Sequence, residues 1–367
     1  MKVMIVRRMG MAVAIAACVA MGAPLCASAA SIRIGAVLAL TGNSAVQGQS
    51  IRDGLQLAVD EINKRGGVNG SKIDLVVEDS KSDPQAAVDG FNKMENSQRP
   101  LFYVSHLSGV GMALAPLAEE KHVVLTGLVT AAIDFTRSRE WVFCYWPKGL
   151  ANTVPLLRIL QDLNVKNLGI LYQNEEFGRD QQQLMTREFT NAGGRVTSQM
   201  VEIADKDYRA KIAKLNDQEA IFVSCTGAVL LGALQQIREA NYHGAVMTTA
   251  SAAQPGLFSL PELQGIYMGA TIIHNPNYLY AKDAGEKYET RFKKAFDQWS
   301  ASGYDFIKLI TGLLEDRQVS RQTVRDLLAG GFDYSGVFGQ VRAKAGDHDL
   351  TFPLFPTQVV NGALKYW

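Results

Sequence analysis

Strand-like and helix-like segments alternate along the chain, and this alternation occurs twice. In the first pass, the segment IRIGAVLAL, which starts at Ile32, is typical of a buried strand. Apolar residues at helical spacing follow it and end at a Gly-Gly pair; they are Ile51, Leu55, Ala58, Val59 and Ile62. The triplet Ser82-Asp83-Pro84 then predicts the capped start of a second helix. Such alternation predicts a parallel sheet with helices on both faces.

The alternation starts again after Trp146-Pro147, and no low-complexity linker separates the two halves. We therefore predict an α/β protein with two similar lobes, joined by crossing strands and separated by a cleft. Near the carboxyl end, GVFGQVRA and FPLFPTQVV flank the polar turn AGDHD, which predicts that these two segments pair as a hairpin. Open α/β sheets bind ligands beyond the carboxyl ends of their strands, so the cleft is the predicted ligand site.

The amino-terminal residues have the pattern of an export signal. MKVMIVRR is positively charged, an apolar stretch follows, and Ala27-Ser28-Ala29 fits a small-residue cleavage site. We predict a signal peptide over residues 1–29, cleavage near Ala29 and a periplasmic mature chain. An uncleaved anchor and lipoprotein processing at Cys26 stay open as alternatives, although bulky Leu25 argues against the second. No other stretch is long and apolar enough to cross a membrane.

Charge and cysteine content exclude several classes of protein. The 367 residues carry a formal net charge of +1 and no basic face, so we predict no nucleic-acid partner. Cys144 and Cys225 lie in apolar, strand-like segments, which favours buried free thiols over a disulfide between them. No zinc spacing and no dinucleotide or P-loop motif is present, so we expect neither metal nor cofactor.

Several segments, in order and spacing, resemble the branched-chain amino acid (Leu/Ile/Val-binding) type of periplasmic binding protein, the type I solute-binding protein of ABC importers. The opening run from IRIGAVLALTG through INKRGGVNG to DSKSDPQAAV carries most of the resemblance, and LGILYQNEEFGRD and GYDFIKLITGLLE agree with it. The resemblance implies two Rossmann-like lobes joined by three crossover strands. It places lobe one at residues 31–146 plus 275–334, and lobe two at 147–274 plus 335–367. It also implies capture of a small molecule by a monomer and its delivery to the permease subunits of an ABC importer.

The resemblance assigns five ligand-binding candidates to lobe one. The turn after the third strand, Ser108-Gly109-Val110, matches the turn that holds a ligand carboxylate, where Ser108 could be a simple helix cap. Gly109 stands where amino-acid binders have a serine and offers only its N–H. Val129 and Thr130 match the second contact loop, and Gln47 lies in the first loop, where an aromatic residue often covers the ligand.

Five further residues are candidates. Phe177 matches an aromatic residue that packs on the ligand, and Trp299 is a candidate ligand wall. The other three follow two predicted strands: Thr226, Ala250 and Ser251. Amino-acid binders usually have an acid at the position of Ala250, and a buried ammonium needs a partner charge. We therefore expect an organic or aromatic acid, or an amide, in preference to an α-amino acid. A shift of the match by a few residues would leave Glu175 or Asp205 to supply the acid, so a branched-chain or other amino acid stays open.

Two other functions are weighed against transport. An enzyme is disfavoured because no nucleophile–base pair or metal motif is evident, and His106, beside the candidate site, is more typical of a structural histidine. We predict no catalytic residue. A ligand-sensing module of the same fold that presents to a membrane receptor stays open, since it requires the same cleft.

Overall fold

The structure is a computed structural model, and it describes residues 31–367. The predicted signal peptide and Cys26 lie outside the described residues. Lobe one begins with alternating strands and helices: β1 (Ile32–Leu38), α1 (Ala45–Lys64), β2 (Ile73–Asp79), α2 (Pro84–Ser97), β3 (Phe102–His106), α3 (Ser108–Glu120), β4 (Val124–Val129) and β5 (Val142–Cys144). The five strands form one parallel sheet in the order β2-β1-β3-β4-β5. The predicted start of the second helix is confirmed, since the Asp83 side chain accepts a hydrogen bond from the N–H of Ala86 at 2.8 Å.

Lobe two repeats this architecture: α4 (Leu150–Asp162), β6 (Asn167–Gln173), α5 (Glu176–Asn191), β7 (Arg195–Val201), α6 (Arg209–Ala213), β8 (Ala220–Ser224), α7 (Gly227–Glu239), β9 (Ala245–Thr248) and β10 (Tyr267–Ala270). These strands are parallel to one another. Short 3-10 turns lie between β9 and β10, and one of them, Ala250–Ala252, follows β9 directly.

The chain then returns to lobe one through α8 (Leu279–Phe292), α9 (Gln298–Leu314), α10 (Arg321–Ala329) and a hairpin of β11 (Phe332–Gly336) and β12 (Gly339–Ala343). It ends in lobe two with β13 (Phe355–Val360) and β14 (Ala363–Tyr366). β13 adds antiparallel to β10, and β14 adds antiparallel to β13, which completes a seven-stranded sheet in the order β14-β13-β10-β9-β8-β6-β7. The predicted α/β class with parallel sheets and two lobes is therefore confirmed.

The predicted pairing of GVFGQVRA with FPLFPTQVV is wrong. β12, in the first segment, pairs with β11, whereas β13, in the second, pairs with β10 and β14. The side chains of Val337, Phe338 and Phe352 are buried in the apolar core of lobe one. The division at residue 335 stays a prediction, and this packing leads us to propose a boundary after Phe352.

Three connections link the lobes: one between β5 and α4, one between β10 and α8, and one between β12 and β13. The first and third lie side by side, because the N–H of Cys144 donates to the carbonyl of His348 at 2.8 Å and the N–H of Leu350 donates to the carbonyl of Cys144 at 2.7 Å. Parallel connections of this kind form a hinge about which two lobes can open and close.

Both cysteines of residues 31–367, Cys144 and Cys225, are free and buried. No helix in this part of the chain combines the length and apolar character that a membrane span requires. Within the same residues, no group of three or more His, Cys, Asp or Glu side chains is arranged to hold a metal ion.

Candidate functional site

A cavity lies between the two lobes, at the carboxyl ends of the parallel strands of both sheets. Its free volume is about 50 Å³. The lining residues are Gln47, Leu107, Ser108, Val129, Ala131, Trp146, Asn152, Glu175, Phe177, Thr226, Thr249, Ala250, Ser251 and Trp299. Loops after β3 and β4 form one wall, and loops after β6, β8 and β9 form the other. This space has room for a few waters and is bounded by both lobes, so a larger ligand requires the walls to move apart.

Eight of the ten predicted site residues line this cavity, and Gly109 and Thr130 do not. Their roles in binding stay predictions. The side chain of Thr130 is fully buried and packs beside Gly111 and Gly127, where a Cβ on either glycine would crowd its atoms. Gly109 lies in the first turn of α3, one residue beyond the cavity wall.

The amino end of α3 forms a polar region of the cavity wall. Backbone N–H groups in the first turn of a helix have no intrahelical acceptor, and no side chain among the described residues caps those of α3. The Oγ of Ser108 accepts a hydrogen bond from the N–H of Ala131 at 3.2 Å, which leaves its hydroxyl hydrogen free to donate. A hydroxyl donor at the positive end of a helix dipole is suited to an anion.

The backbone that precedes this helix is strained. Leu107 has φ 72 and ψ 133, a conformation that a branched side chain rarely adopts. Such strain is often found at functional sites. Here it turns the chain sharply from the end of β3 into α3 and brings both Leu107 and Ser108 to the cavity wall.

Aromatic side chains form the apolar walls. The rings of Trp146 and Trp299 stack with centroids 5.5 Å apart and an interplanar angle of 29°. The rings of Phe338 and Phe352 contact Trp146 edge to face, with ring centroids 6.2 and 5.5 Å from that of Trp146. The indole N–H of Trp299 is buried without a hydrogen-bond partner among the described residues. Aromatic side chains in the wall favour a ligand with an apolar body, and the buried indole N–H favours one with a hydrogen-bond acceptor.

The wall that lobe two contributes carries one carboxyl group, that of Glu175. This residue caps α5, accepting hydrogen bonds from the N–H of Phe177 at 3.0 Å and of Gly178 at 2.8 Å. Burial raises the pKa of Glu175, although these two backbone bonds act in the opposite direction. The alternative acid, Asp205, does not line the cavity and instead pairs with Lys211 at 2.9 Å.

Sequence reasoning left six lining residues outside the site: Leu107, Ala131, Trp146, Asn152, Glu175 and Thr249. Leu107 and Ala131 adjoin predicted turns, and Thr249 precedes Ala250, so a wider window at each strand end would have included them. Glu175 carried a weak signal as an acid just after a strand. Trp146 and Asn152 carried no local signal, since the hinge and the packing of α4 bring them to the cavity.

Among the described residues, the hydrogen bonds that join lobe one to lobe two around the cavity include Ala228 N–H to Asn43 Oδ1 at 3.2 Å, Ile133 N–H to Asp180 Oδ2 at 3.0 Å, and Gln298 Nε2 to the carbonyl of Ala250. They lie in the first loop of lobe one, in the loop after β4 and at the start of α9. The structure therefore represents the closed arrangement of the two lobes.

His106 does not line the cavity. Its side chain is fully buried at the end of β3, and burial lowers its pKa to about 3. Neither ring nitrogen has a hydrogen-bond partner among the described residues. A buried neutral imidazole that cannot reach the cavity is a structural group and not a base for a reaction there.

The two-lobed fold and the enclosed cleft define the class of ligand-binding proteins that close around a small molecule. The sequence pattern of the periplasmic binding protein family matches residues 31–363, and the chain belongs to this family. It is a type I member of the branched-chain amino acid type.

Relatives and solved structures support this assignment. The chain is 26% identical over 204 residues to the Leu/Ile/Val-binding protein BraC3 of Rhizobium johnstonii, with 52% of this chain and 53% of that protein covered. The chain therefore spans about half the length of this relative.

The fold is similar to that of LivJ, the branched-chain amino acid transporter substrate binding protein of Streptococcus pneumoniae, solved with isoleucine. The TM-score is 0.84 at 20% identity, and 91% of this chain and 98% of that chain are covered. It is also similar to an ABC transporter solute binding protein of R. palustris solved with benzoate, with a TM-score of 0.83 at 18% identity and coverage of 92% and 95%.

Proposed function

We propose that this protein is an exported solute-binding protein that captures a small organic carboxylate, preferably one with a flat apolar body. It acts as a monomer in the periplasm and delivers the ligand to the permease subunits of an ABC importer. The role is binding without a catalytic step. The observation that carries the proposal is the closed cavity, in which Ser108 and the uncapped α3 face stacked aromatic walls.

The carboxylate assignment rests on the type of polar group at the α3 end. Hydroxyl and backbone N–H donors at a helix amino terminus stabilise negative charge without a lysine or arginine, and none of the lining residues is a lysine or arginine. The aromatic assignment rests on Trp146 and Trp299, whose stacked rings bound the cavity. A similar fold was solved with benzoate, which agrees with both assignments.

An α-amino acid is the second candidate, and Glu175 is the observation that favours it. Ala250 lines the cavity but cannot supply a negative charge. The carboxyl group of Glu175, on the same wall, could pair with an ammonium group of the ligand. A protein of similar fold was solved with isoleucine, which supports an α-amino acid as a candidate ligand. The aromatic walls rank it below the aromatic acid.

Isothermal titration calorimetry with benzoate, benzamide and leucine separates these candidates. We expect benzoate to bind at least about tenfold more tightly than benzamide, because the neutral amide loses the charge-assisted hydrogen bonds. Tighter binding of leucine would establish the second candidate. Uptake of the bound ligand should fall in a strain that lacks the gene, and unchanged uptake would contradict the importer role.

A further inference from the structure

The two polar ends of the cavity differ in hydrogen-bonding character. At the α3 end, the Ser108 hydroxyl and the first-turn N–H groups are donors. At the α5 end, Glu175 presents acceptor oxygens. A ligand that satisfies both ends therefore needs an acceptor on one side and a donor on the other.

The carboxylate of Glu175 has acceptor capacity left. A carboxylate offers about four lone-pair sites, and the N–H groups of Phe177 and Gly178 use one on each oxygen. The same two bonds fix both oxygens in place, since they tie the side chain to the first turn of α5. The carboxylate is thus already oriented before the ligand binds, so a hydrogen bond from the ligand carries no cost of ordering the Glu175 side chain.

No cation within the described residues forms an ion pair with Glu175. The nearby Arg179 is directed to Glu176 at 3.3 Å and to the Oδ1 of Asn174 at 2.9 Å. Burial also removes part of the water that would solvate the charged carboxylate, which raises the pKa of Glu175. A bound ligand without a hydrogen-bond donor would exclude water from the Glu175 carboxylate and give it no hydrogen bond in return.

We propose that Glu175 is a specificity-determining residue, whose carboxylate accepts a hydrogen bond from the ligand and selects carboxylates that carry a hydroxyl or ammonium group over matched ones that carry none. This inference rests on the proposed function, and it deepens it by naming the second functional group of the ligand. It holds for either ligand candidate, because a hydroxylated aromatic acid and an α-amino acid both supply a donor.

The test is calorimetry with matched ligand pairs: benzoate against 3- and 4-hydroxybenzoate, and 4-methylpentanoate against leucine. For the wild type we expect the donor-bearing member of one pair to bind about tenfold or more tightly. Glu175→Gln should reduce this preference to less than about threefold, because the N–H groups of Phe177 and Gly178 use its one acceptor oxygen and its NH₂ group cannot accept a hydrogen bond. Glu176→Gln is the matched control, since the neighbouring residue does not line the cavity, and it should keep the wild-type preference.

Loss of the helix cap must be separated from loss of the ligand contact. Thermal unfolding without ligand measures the effect on α5, and Glu175→Asp keeps a capping carboxylate that is one methylene farther from the ligand. We expect Glu175→Asp to fold like the wild type and still lose most of the preference. A Glu175→Gln variant that retains the wild-type preference would overturn the inference and leave the carboxylate assignment standing. A wild type that binds no member of either pair would overturn both.

Discussion

The Oδ1 atom of Asn43 accepts a hydrogen bond from the backbone N–H of Ala228 at 3.2 Å, and this contact joins the first loop of lobe one to the first turn of α7 in lobe two. The neighbouring Gly227 has φ +54 and faces the backbone carbonyl and side chain of Asn43 so closely that a Cβ would collide with them. Closure of the cleft thus depends on a residue without a side chain at this point.

Gly227→Ala should weaken ligand binding by about tenfold or more, since a Cβ that crowds Asn43 opposes closure of the two lobes. Gly193→Ala is the control, because Gly193 also has positive φ but meets nothing within 4 Å. Both variants should lose stability in urea denaturation, and only Gly227→Ala should bind ligand more weakly in calorimetry. Equal affinity in the two variants would show that this contact is not needed for closure.

Ser108→Ala should weaken binding of a carboxylate by about tenfold, the usual effect of losing one hydrogen bond to a charged group. Ser105→Ala serves for comparison, because Ser105 is a buried serine of β3 that does not line the cavity. Calorimetry at constant pH measures the ligand affinity of both variants. If the two substitutions change affinity by the same factor, Ser108 does not contact the ligand.

Trp299→Phe should weaken binding of an aromatic acid by several-fold, because it removes an unpartnered indole N–H and part of a stacked wall. It should also reduce the change in tryptophan emission that ligand binding produces. Trp141→Phe is the control, because Trp141 packs against His122 and does not line the cavity. It should leave the ligand affinity and the change in emission near the wild-type values. A wild-type emission response in Trp299→Phe would argue against this wall.

The buried His106 predicts a pH dependence of stability. Its pKa falls from 6.5 to about 3 on folding, so between these values the unfolded chain binds a proton that the folded protein does not. Its contribution to stability is therefore complete above pH 6.5 and is lost as the pH falls towards 3. The loss reaches up to about 1.4 kcal/mol per pH unit.

Urea denaturation from pH 7 to pH 4 measures this slope. His106→Gln should give a shallower decline of the free energy of unfolding than the wild type, whatever its stability at pH 7. His243→Gln, at an exposed turn, controls for the substitution itself. Identical slopes for wild type and His106→Gln would contradict the assignment of a buried neutral imidazole.

The sequence predicted the features that depend on local pattern. A strand followed by a turn and a helix start is local, so Ser108 and Thr226 could be assigned to the ends of strands whose carboxyl edges face the cleft. Their convergence on one cavity follows from the parallel arrangement of the strands.

The errors arise where tertiary packing decides. An alternating pattern indicates that β12 is a strand but not that its partner is β11, so the predicted hairpin was wrong. The ligand contact of Thr130 stays a prediction, and its side chain packs beside Gly111 and Gly127 and does not line the cavity. The proximity of Trp146 to Trp299 joins residues far apart in sequence, and no local pattern encodes it.

The proposed function requires that the cleft hold a small carboxylate. Native mass spectrometry of the purified mature protein, followed by denaturation and identification of the released molecule, tests it most directly. We predict that the released ligand is a small organic acid with a planar apolar body and a hydroxyl or amino group. A released molecule without an acidic group, such as a sugar or a polyamine, would contradict the account.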